Sequence, residues 1–533
     1  MNKPRPVVLC VLDGVGERSA VAGNAVRQAR TPELDALRAQ APSTSLAPSV
    51  DGLPPDGAHG HRCLGAGRPL ARSSAPVDAD IAARKLGRNA VVDQLVRLAT
   101  YDACQLHLVT LLSDGTAHAS LSHLAAVLEV AEWNKIDVRV HAVLDGRDGP
   151  RRAASRQLDA LEDLLAGRGK LATVCGRAYA MDGAGRWDRV YAAYHAMVRD
   201  PTLGPTVTQA DTGYEAVFGA YQKGLDDDQV EPVRVGAYRG MKGSFMCDFA
   251  NASPLWSWYG EDVGLLLHHR PDGLRQLGAM FRREVPEEIA VDLLTDRGKP
   301  VYAFREGCLA ALCDDEGALD PVAYPLAAVV DGFAEVVSRA GLRQLRCAES
   351  DKAAHVTRYF DLRPTAWPGE EWHLVPSDGA DVGELVPDPA AATRAVAASV
   401  TRALAAGGPD FVLVNLGGAD LAAATGNLGA TVAALEALDA AVGAIARAVA
   451  ALGGVLLVTS DHGRAEELED DAGVMRLGPT RARVPLLVVG AGEGTALRDG
   501  GSLCDVAPTM LELLGLDQPA AMTGQSLLVR PRR

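Results

Sequence analysis

An apolar stretch near the end of the chain, Gly453-Gly454-Val455-Leu456-Leu457-Val458-Thr459, runs straight into Ser460-Asp461-His462-Gly463. A carboxylate oxygen beside an imidazole nitrogen suits Zn²⁺ or Mn²⁺. Near the start, Pro6-Val7-Val8-Leu9-Cys10-Val11-Leu12 ends the same way, in Asp13-Gly14. In open α/β sheets, ligands and metals collect at the carboxyl ends of strands. Two strands from opposite ends of the sequence thus each supply a metal-type ligand. That is the equipment of metal-assisted phosphoryl transfer.

The middle of the chain holds a second set. Apolar runs end in Leu112-Ser113-Asp114-Gly115-Thr116-Ala117-His118 and in Leu144-Asp145-Gly146-Arg147-Asp148-Gly149. Cys175-Gly176-Arg177 and His268-His269-Arg270 follow. Guanidinium forks bind phosphate and carboxylate bidentately. Several of them after strands would form a pocket for a small phosphorylated acid. The plainer reading of any one of these arginines is a surface salt bridge.

The elements that must position these groups alternate along the chain. Strands are expected at 6–12, 107–112, 137–144, 411–416, 454–459 and 484–489. Helices are expected at 28–40, 155–166, 391–405 and 428–452, the last stopping at Gly453-Gly454. Such alternation predicts an α/β protein with parallel sheets flanked by helices. Gly/Pro-rich stretches at 48–69 and near 315–325 are the candidate crossings between two domains.

Composition narrows the class. At 533 residues, 48% apolar and 23% charged, the chain can build two or three cores of ordinary globular type. A net charge of −15 argues against a nucleic-acid partner, though a local arginine cluster can still hold an anion. No uninterrupted apolar stretch reaches the ~20 residues of a membrane span. The N-terminus lacks a signal-peptide pattern. Nine cysteines without a CxxC, with Cys10, Cys175 and Cys347 in or beside apolar runs, read as buried reduced thiols of a cytoplasmic protein.

Taken together, the residues resemble the cofactor-independent (2,3-bisphosphoglycerate-independent) phosphoglycerate mutases of the alkaline phosphatase superfamily. The matching stretches include Val11-Leu12-Asp13-Gly14, Gly23-Asn24-Ala25-Val26, Gly65-Ala66-Gly67-Arg68, Leu144-Asp145-Gly146-Arg147-Asp148, Ala348-Glu349-Ser350-Asp351-Lys352 and Asp461-His462-Gly463. The resemblance covers essentially the whole chain. It implies an alkaline-phosphatase-like parallel-sheet domain made of 1–75 and 323–533. An α/β phosphotransferase domain, 76–322, would be inserted, and the two would close over substrate. It also implies two Mn²⁺ ions and a transiently phosphorylated serine, which moves the phosphoryl group between the 3- and 2-hydroxyls of glycerate.

Under this resemblance, Asp13, Asp461 and His462 match the ligands of one metal, and Asp420 matches one ligand of the other. His118, Arg147, Asp148, Arg177, Arg270 and Lys352 match residues that hold or protonate the substrate. The structural alternative for Asp13, Asp461 and His462 is capping and packing at strand ends.

The departures are large. The family's loop reads Gly-Asn-Ser-Glu-Val-Gly-His, whereas this chain has Pro54-Pro55-Asp56-Gly57-Ala58-His59-Gly60-His61. The loop is about four residues shorter and has no serine for the nucleophile; Gly57 or Asp56 falls nearest. Ala424 and Pro479 stand where the second metal's histidines would be, and Gly183 and Gly273 replace two substrate arginines. One carboxylate cannot hold a transition metal by itself. The expected cofactor is therefore at most one divalent ion, Mn²⁺ or Zn²⁺, or none.

Three readings follow. The first is a repurposed isomerase- or phosphotransferase-like enzyme acting on a small phosphorylated or phosphonylated carboxylic acid. Specialised metabolism such as phosphonate biosynthesis is its setting, and Asp56, His59 and His61 are its replacement catalytic groups. The plainer reading of the two histidines is a solvated Gly-rich loop. The second is a catalytically silent binding or scaffold protein of the same fold, and the third a conventional mutase. The expected partner is a small anionic substrate, with no nucleic acid and no membrane, and the chain is expected to be a monomer.

Overall fold

The computed structural model describes residues 6–49, 56–72, 74–113, 119–147, 149–182, 186–198, 207–242, 244–245, 261–269, 271–282, 284–285, 302–303, 307–314, 319–326, 328–363, 365–376, 389–470 and 473–529. The chain divides into two compact units, one of residues 1–71 with 327–533 and one of residues 72–326. Both are α/β. The second boundary lies beyond the expected 322/323, since strand Val322–Pro325 pairs in parallel with Leu309–Asp314 and stays with the inserted unit; the first lies at 71/72 rather than 75/76.

The first unit is built on a seven-stranded sheet. Its order is Glu370–Val375, Gln344–Glu349, Phe411–Leu416, Val7–Leu12, Val455–Thr459, Val484–Val489 and Ser43–Leu46. The first five strands are parallel, and the last two pairings are antiparallel. Val7–Leu12 is apolar at every position because both faces are covered. Val7, Leu9 and Val11 enter one core with Phe333, Phe360 and Met510. Val8, Cys10 and Leu12 enter the other with Val400, Leu438 and Ile445. Segments from both halves of the sequence therefore meet at the sheet centre, where Val7–Leu12 lies between Phe411–Leu416 and Val455–Thr459.

The second unit holds an eight-stranded sheet in the order Val322–Pro325, Leu309–Asp314, Val263–Leu266, Leu106–Leu112, Val138–Leu144, Lys170–Gly176, Val233–Val235 and Thr208–Ala210. Within it, only the pairing of Lys170–Gly176 with Val233–Val235 is antiparallel. Leu106, Leu108 and Leu112 pack on one face, Val109 and Leu111 on the other.

Three local expectations change. The helix expected over 28–40 is two helices, Ala25–Gln28 and Pro32–Gln40. Pro32 disfavours helical backbone at Thr31, which has φ −123° and ψ 59°. The Gly/Pro-rich stretch 48–69 is not all loop, since Gly57–Ala66 is a helix. Helix Leu428–Ala451 is, by length and composition, apolar enough to cross a membrane. It is a core helix of the first unit, with Leu435, Leu438, Val442 and Ile445 buried. The described cysteines, Cys10, Cys175 and Cys347 among them, are buried and free of disulfides.

Candidate metal centre and anion site

Asp13, Asp461 and His462 come together at the carboxyl ends of adjacent parallel strands. One ligand atom from each lies within 4.8 Å of the others, and all three residues are buried. Asp13 Oδ2 accepts from Asn415 Nδ2 at 2.7 Å, while Asp13 Oδ1 is buried without a hydrogen bond. Asp461 Oδ1 accepts from the N–H groups of Gly14 and His462, at 3.2 and 3.0 Å, and its Oδ2 faces His61 Nδ1 at 3.2 Å.

Asp420 lies beside this cradle, but cations claim both of its oxygens. Lys352 Nζ is 2.7 Å from Oδ2 and Arg464 Nη1 is 2.9 Å from Oδ1. The same ammonium reaches Asp13 Oδ2 at 3.0 Å. Burial raises the Asp420 carboxyl, but Arg464 and Lys352 outweigh it and hold it well below the usual range. Burial likewise raises Asp461, and His462, the His61 contact and Lys352 pull it far down. Asp13 goes the other way: burial and the Asp461 charge push it up. Burial lowers His462, and the three aspartates raise it above its ordinary value.

Three buried carboxylates thus face two fixed cations, Lys352 and Arg464. Both cations reach Asp420, and Lys352 also reaches Asp13, while Asp461 is paired with neither. Orphaned Asp13 Oδ1 and an O, O, N donor set fit one divalent ion at Asp13, Asp461 and His462. When bound, such an ion would supply positive charge for an incoming phosphoryl oxygen. Around Asp420 the donors do not fit a second ion. Ala424 ends the short helix Gly418–Ala424 and Pro479 precedes Thr480, so neither position offers a ligand.

Helix Gly57–Ala66 closes one side of the cradle. Asp56 caps it, its Oδ1 accepting the His59 N–H at 2.7 Å. An Asp cap contributes about 1 kcal/mol. Gly67, at φ +61°, ends the helix. Glycines cost roughly 1 kcal/mol each in a helix interior, yet close packing demands them here. A Cβ on Gly60 would lie 2.5 Å from the Asp461 carbonyl oxygen. A Cβ on Gly57 would lie 2.6 Å from His355 Nε2 and 3.3 Å from Asp461 Oδ2. Position 57 therefore faces the cradle.

The three loop candidates separate. His59 and His61 are buried on a helix, which corrects the solvated-loop reading. His61 touches the centre, with Nδ1 2.9 Å from the Gly57 carbonyl oxygen as well as facing Asp461. His59 turns to Cys63, Nε2 to Sγ 3.5 Å, and Asp56 serves as the cap.

Sequence reasoning missed four residues here. Asn415 was signalled by a polar residue inside an apolar strand. Arg464 directly follows Asp461-His462-Gly463. Glu349, at a strand end, is pushed up to about 7 by burial despite Lys352. His355 begins a π-helical turn, His355–Tyr359, and stands 5.1 Å, ring centre to ring centre, from His61.

In the second unit, groups from the carboxyl ends of three neighbouring strands meet. Asp145 Oδ2 accepts from Ser113 Oγ at 2.5 Å, and Asp145 Oδ1 pairs with Arg177. Asp145 and Arg177 are both buried. Arg147 is part-exposed and pairs through Nε with Asp228 Oδ2 at 3.1 Å. His268 and His269 are buried beyond strand Val263–Leu266. Gly273 leaves no open space, because a Cβ there would lie 2.7 Å from Met181 Cγ. The expected His118, Asp148, Arg270 and Gly183 fall outside the described residues. Lys352, expected as a substrate group, belongs to the unit that carries the metal cradle.

Two α/β units and a buried Asp-Asp-His cradle at a sheet's carboxyl edge define a metalloenzyme. Residues 5–518 match the model of the Metalloenzyme superfamily. The 2,3-bisphosphoglycerate-independent phosphoglycerate mutase of Desulforudis audaxviator is 36% identical over 99% of this chain and 100% of its own. That of Synechococcus elongatus is 34% identical over 98% and 95%. A crystal structure of Leishmania mexicana phosphoglycerate mutase at low cobalt concentration matches with a TM-score of 0.85 at 25% identity, covering 99% of this chain and 100% of that one. The chain belongs to the 2,3-bisphosphoglycerate-independent phosphoglycerate mutase family.

Proposed function

We propose that this chain is a repurposed member of its family. It acts, as an isomerase or phosphotransferase with one divalent ion and no serine intermediate, on a small phosphorylated or phosphonylated carboxylic acid. Specialised metabolism, such as phosphonate biosynthesis, is where such an acid would arise.

One observation carries this reading: the position facing the cradle is Gly57, which has no side chain to offer. A serine route needs an activated hydroxyl, and two-metal transfer needs a second ion. Lys352 and Arg464 take the place of that second charge. Retained groups support an enzyme rather than a scaffold. The Asp13–Asp461–His462 set suits an ion, and the N-terminus of helix Gly57–Ala66 favours an anion beside it.

The test is ³¹P NMR of the full-length protein, loaded with Mn²⁺ or Zn²⁺, against phosphoglycerates, phosphoenolpyruvate and carboxylated phosphonates. Conversion of a member other than the phosphoglycerates is expected. Ordinary interconversion of 3- and 2-phosphoglycerate, or binding of no member, would sink the reading.

A further inference from the structure

His355 occupies the place that Gly57 leaves empty. Its Nε2 is 2.6 Å from where a Cβ at position 57 would stand, so any side chain there would displace the ring. The two nitrogens differ. Nδ1 is enclosed and without a hydrogen bond, whereas Nε2 is turned to the cradle, toward the same space that borders Asp461 Oδ2. His61 packs edge-on against the ring and Tyr359 stands 5.3 Å away, holding its plane. A π-helical turn carries the residue, a local irregularity frequent at functional sites. The His355 backbone lies three residues after Lys352, whose ammonium is fixed between Asp13 and Asp420. One imidazole nitrogen, one ammonium and the first turn of a helix are thus gathered beside a metal-type cradle, and no hydroxyl nucleophile stands at position 57.

We infer that His355 Nε2 is the phosphoryl acceptor of this enzyme, in place of a serine at position 57. The inference rests on the phosphate-ester form of the function proposed above. In the first step the Nε2 lone pair attacks phosphorus in line. The P–O ester bond breaks, its electron pair leaves on the substrate oxygen, and that oxygen takes a proton from solvent water. In the second step another hydroxyl of the substrate returns a proton to solvent water and attacks phosphorus. The P–N bond breaks and its electron pair returns to the imidazole. No net oxidation occurs, and the protons balance over the two steps. Burial, with help from Lys352 and His61, keeps the ring well below its ordinary pKa and so free of a competing proton.

The experiment uses full-length protein with ³²P-labelled phosphoglycerate and, separately, p-nitrophenyl phosphate. Quenching in base and mapping by mass spectrometry should place one acid-labile phosphate on residue 355. His355→Asn should lower labelling roughly 10³-fold or more, as loss of a nucleophile does. His373→Gln, on the exposed edge strand, should label like wild type. Near-ultraviolet circular dichroism checks that His355→Asn folds. If that variant does not fold, the mapped site in wild type decides alone. Label on another residue, or none with either donor, overturns the inference. Turnover of phosphonates without any phosphoenzyme also overturns it, and leaves the proposed function standing. A labelled His355 in a protein that converts no carboxylic acid supports the inference and removes the proposed function instead.

Discussion

The Lys352 ammonium lies 2.7 Å from Asp420 Oδ2, inside the ligand set that a second metal would need. Buried carboxylates keep Lys352 above its ordinary pKa although burial works against it. A fixed cation here does electrostatically what an ion would do, but it offers no open coordination position.

Metal content follows from this arrangement. Purified protein should carry one tightly bound divalent ion per chain, and Asp461→Ala should carry none, since three protein ligands leave no spare donor. Elemental analysis giving two ions per chain would refute the assignment of Lys352 and Arg464 as the second centre's charge.

Removing Lys352 should expose the cost of buried charge. Lys352→Met leaves Asp13 and Asp420 short of a cation, and breaking such a buried pair destabilises by about 3–5 kcal/mol. Added Mn²⁺ should recover part of the loss by binding the native state. Urea unfolding with and without the ion measures both effects. A variant as stable as wild type in chelator would contradict the charge balance.

Mutase activity should be weak. With no hydroxyl at position 57 and one ion rather than two, interconversion of 3- and 2-phosphoglycerate should fall at least ~10³-fold below that of a serine-bearing two-metal enzyme. A coupled assay returning ordinary turnover would disprove this.

Arg177 should prove structural as well as anion-binding. It is buried and paired with buried Asp145, which also accepts from Ser113. Arg177→Ala strands that carboxylate and should cost about 3–5 kcal/mol. Denaturant midpoints that do not move would show that the pair is dispensable to the fold.

The second unit should lose stability in mild acid. His141 is buried, with Nε2 2.9 Å from His107 Nδ1 and Nδ1 2.9 Å from Thr173 Oγ1; Asp262 and Tyr238 face the pair. Burial first, then the charge of His107, lowers His141 well below 6.5. The unfolded chain therefore takes up a proton below pH 6.5 that the native state refuses. Stability is full above that pH and falls as pH drops toward the lowered value, by up to about 1.4 kcal/mol per pH unit. Unfolding curves between pH 7.5 and 5 check the slope, which His141→Asn should flatten.

How much of this was legible varies by residue. The strands ending in Asp13 and Asp461 could be read directly, because a strand buried on both faces is apolar at every position and its first polar residue marks the edge. Local pattern and the matching stretches together also pointed to the α/β class and to a sheet built from both ends of the sequence. Helix Gly57–Ala66 could not be read that way. Three of its ten residues are glycine, and local propensity names that a loop. Only close contact with Asp461 and His355 makes glycine the residue that fits. The same holds for Lys352 and Arg464, whose charges say nothing about Asp420 until the fold brings them within 3 Å of it. The sequence by itself determined which groups could do chemistry and which strand ends would carry them. Tertiary structure decided which of them meet, because side-chain contacts between residues hundreds of positions apart depend on packing that no local pattern encodes.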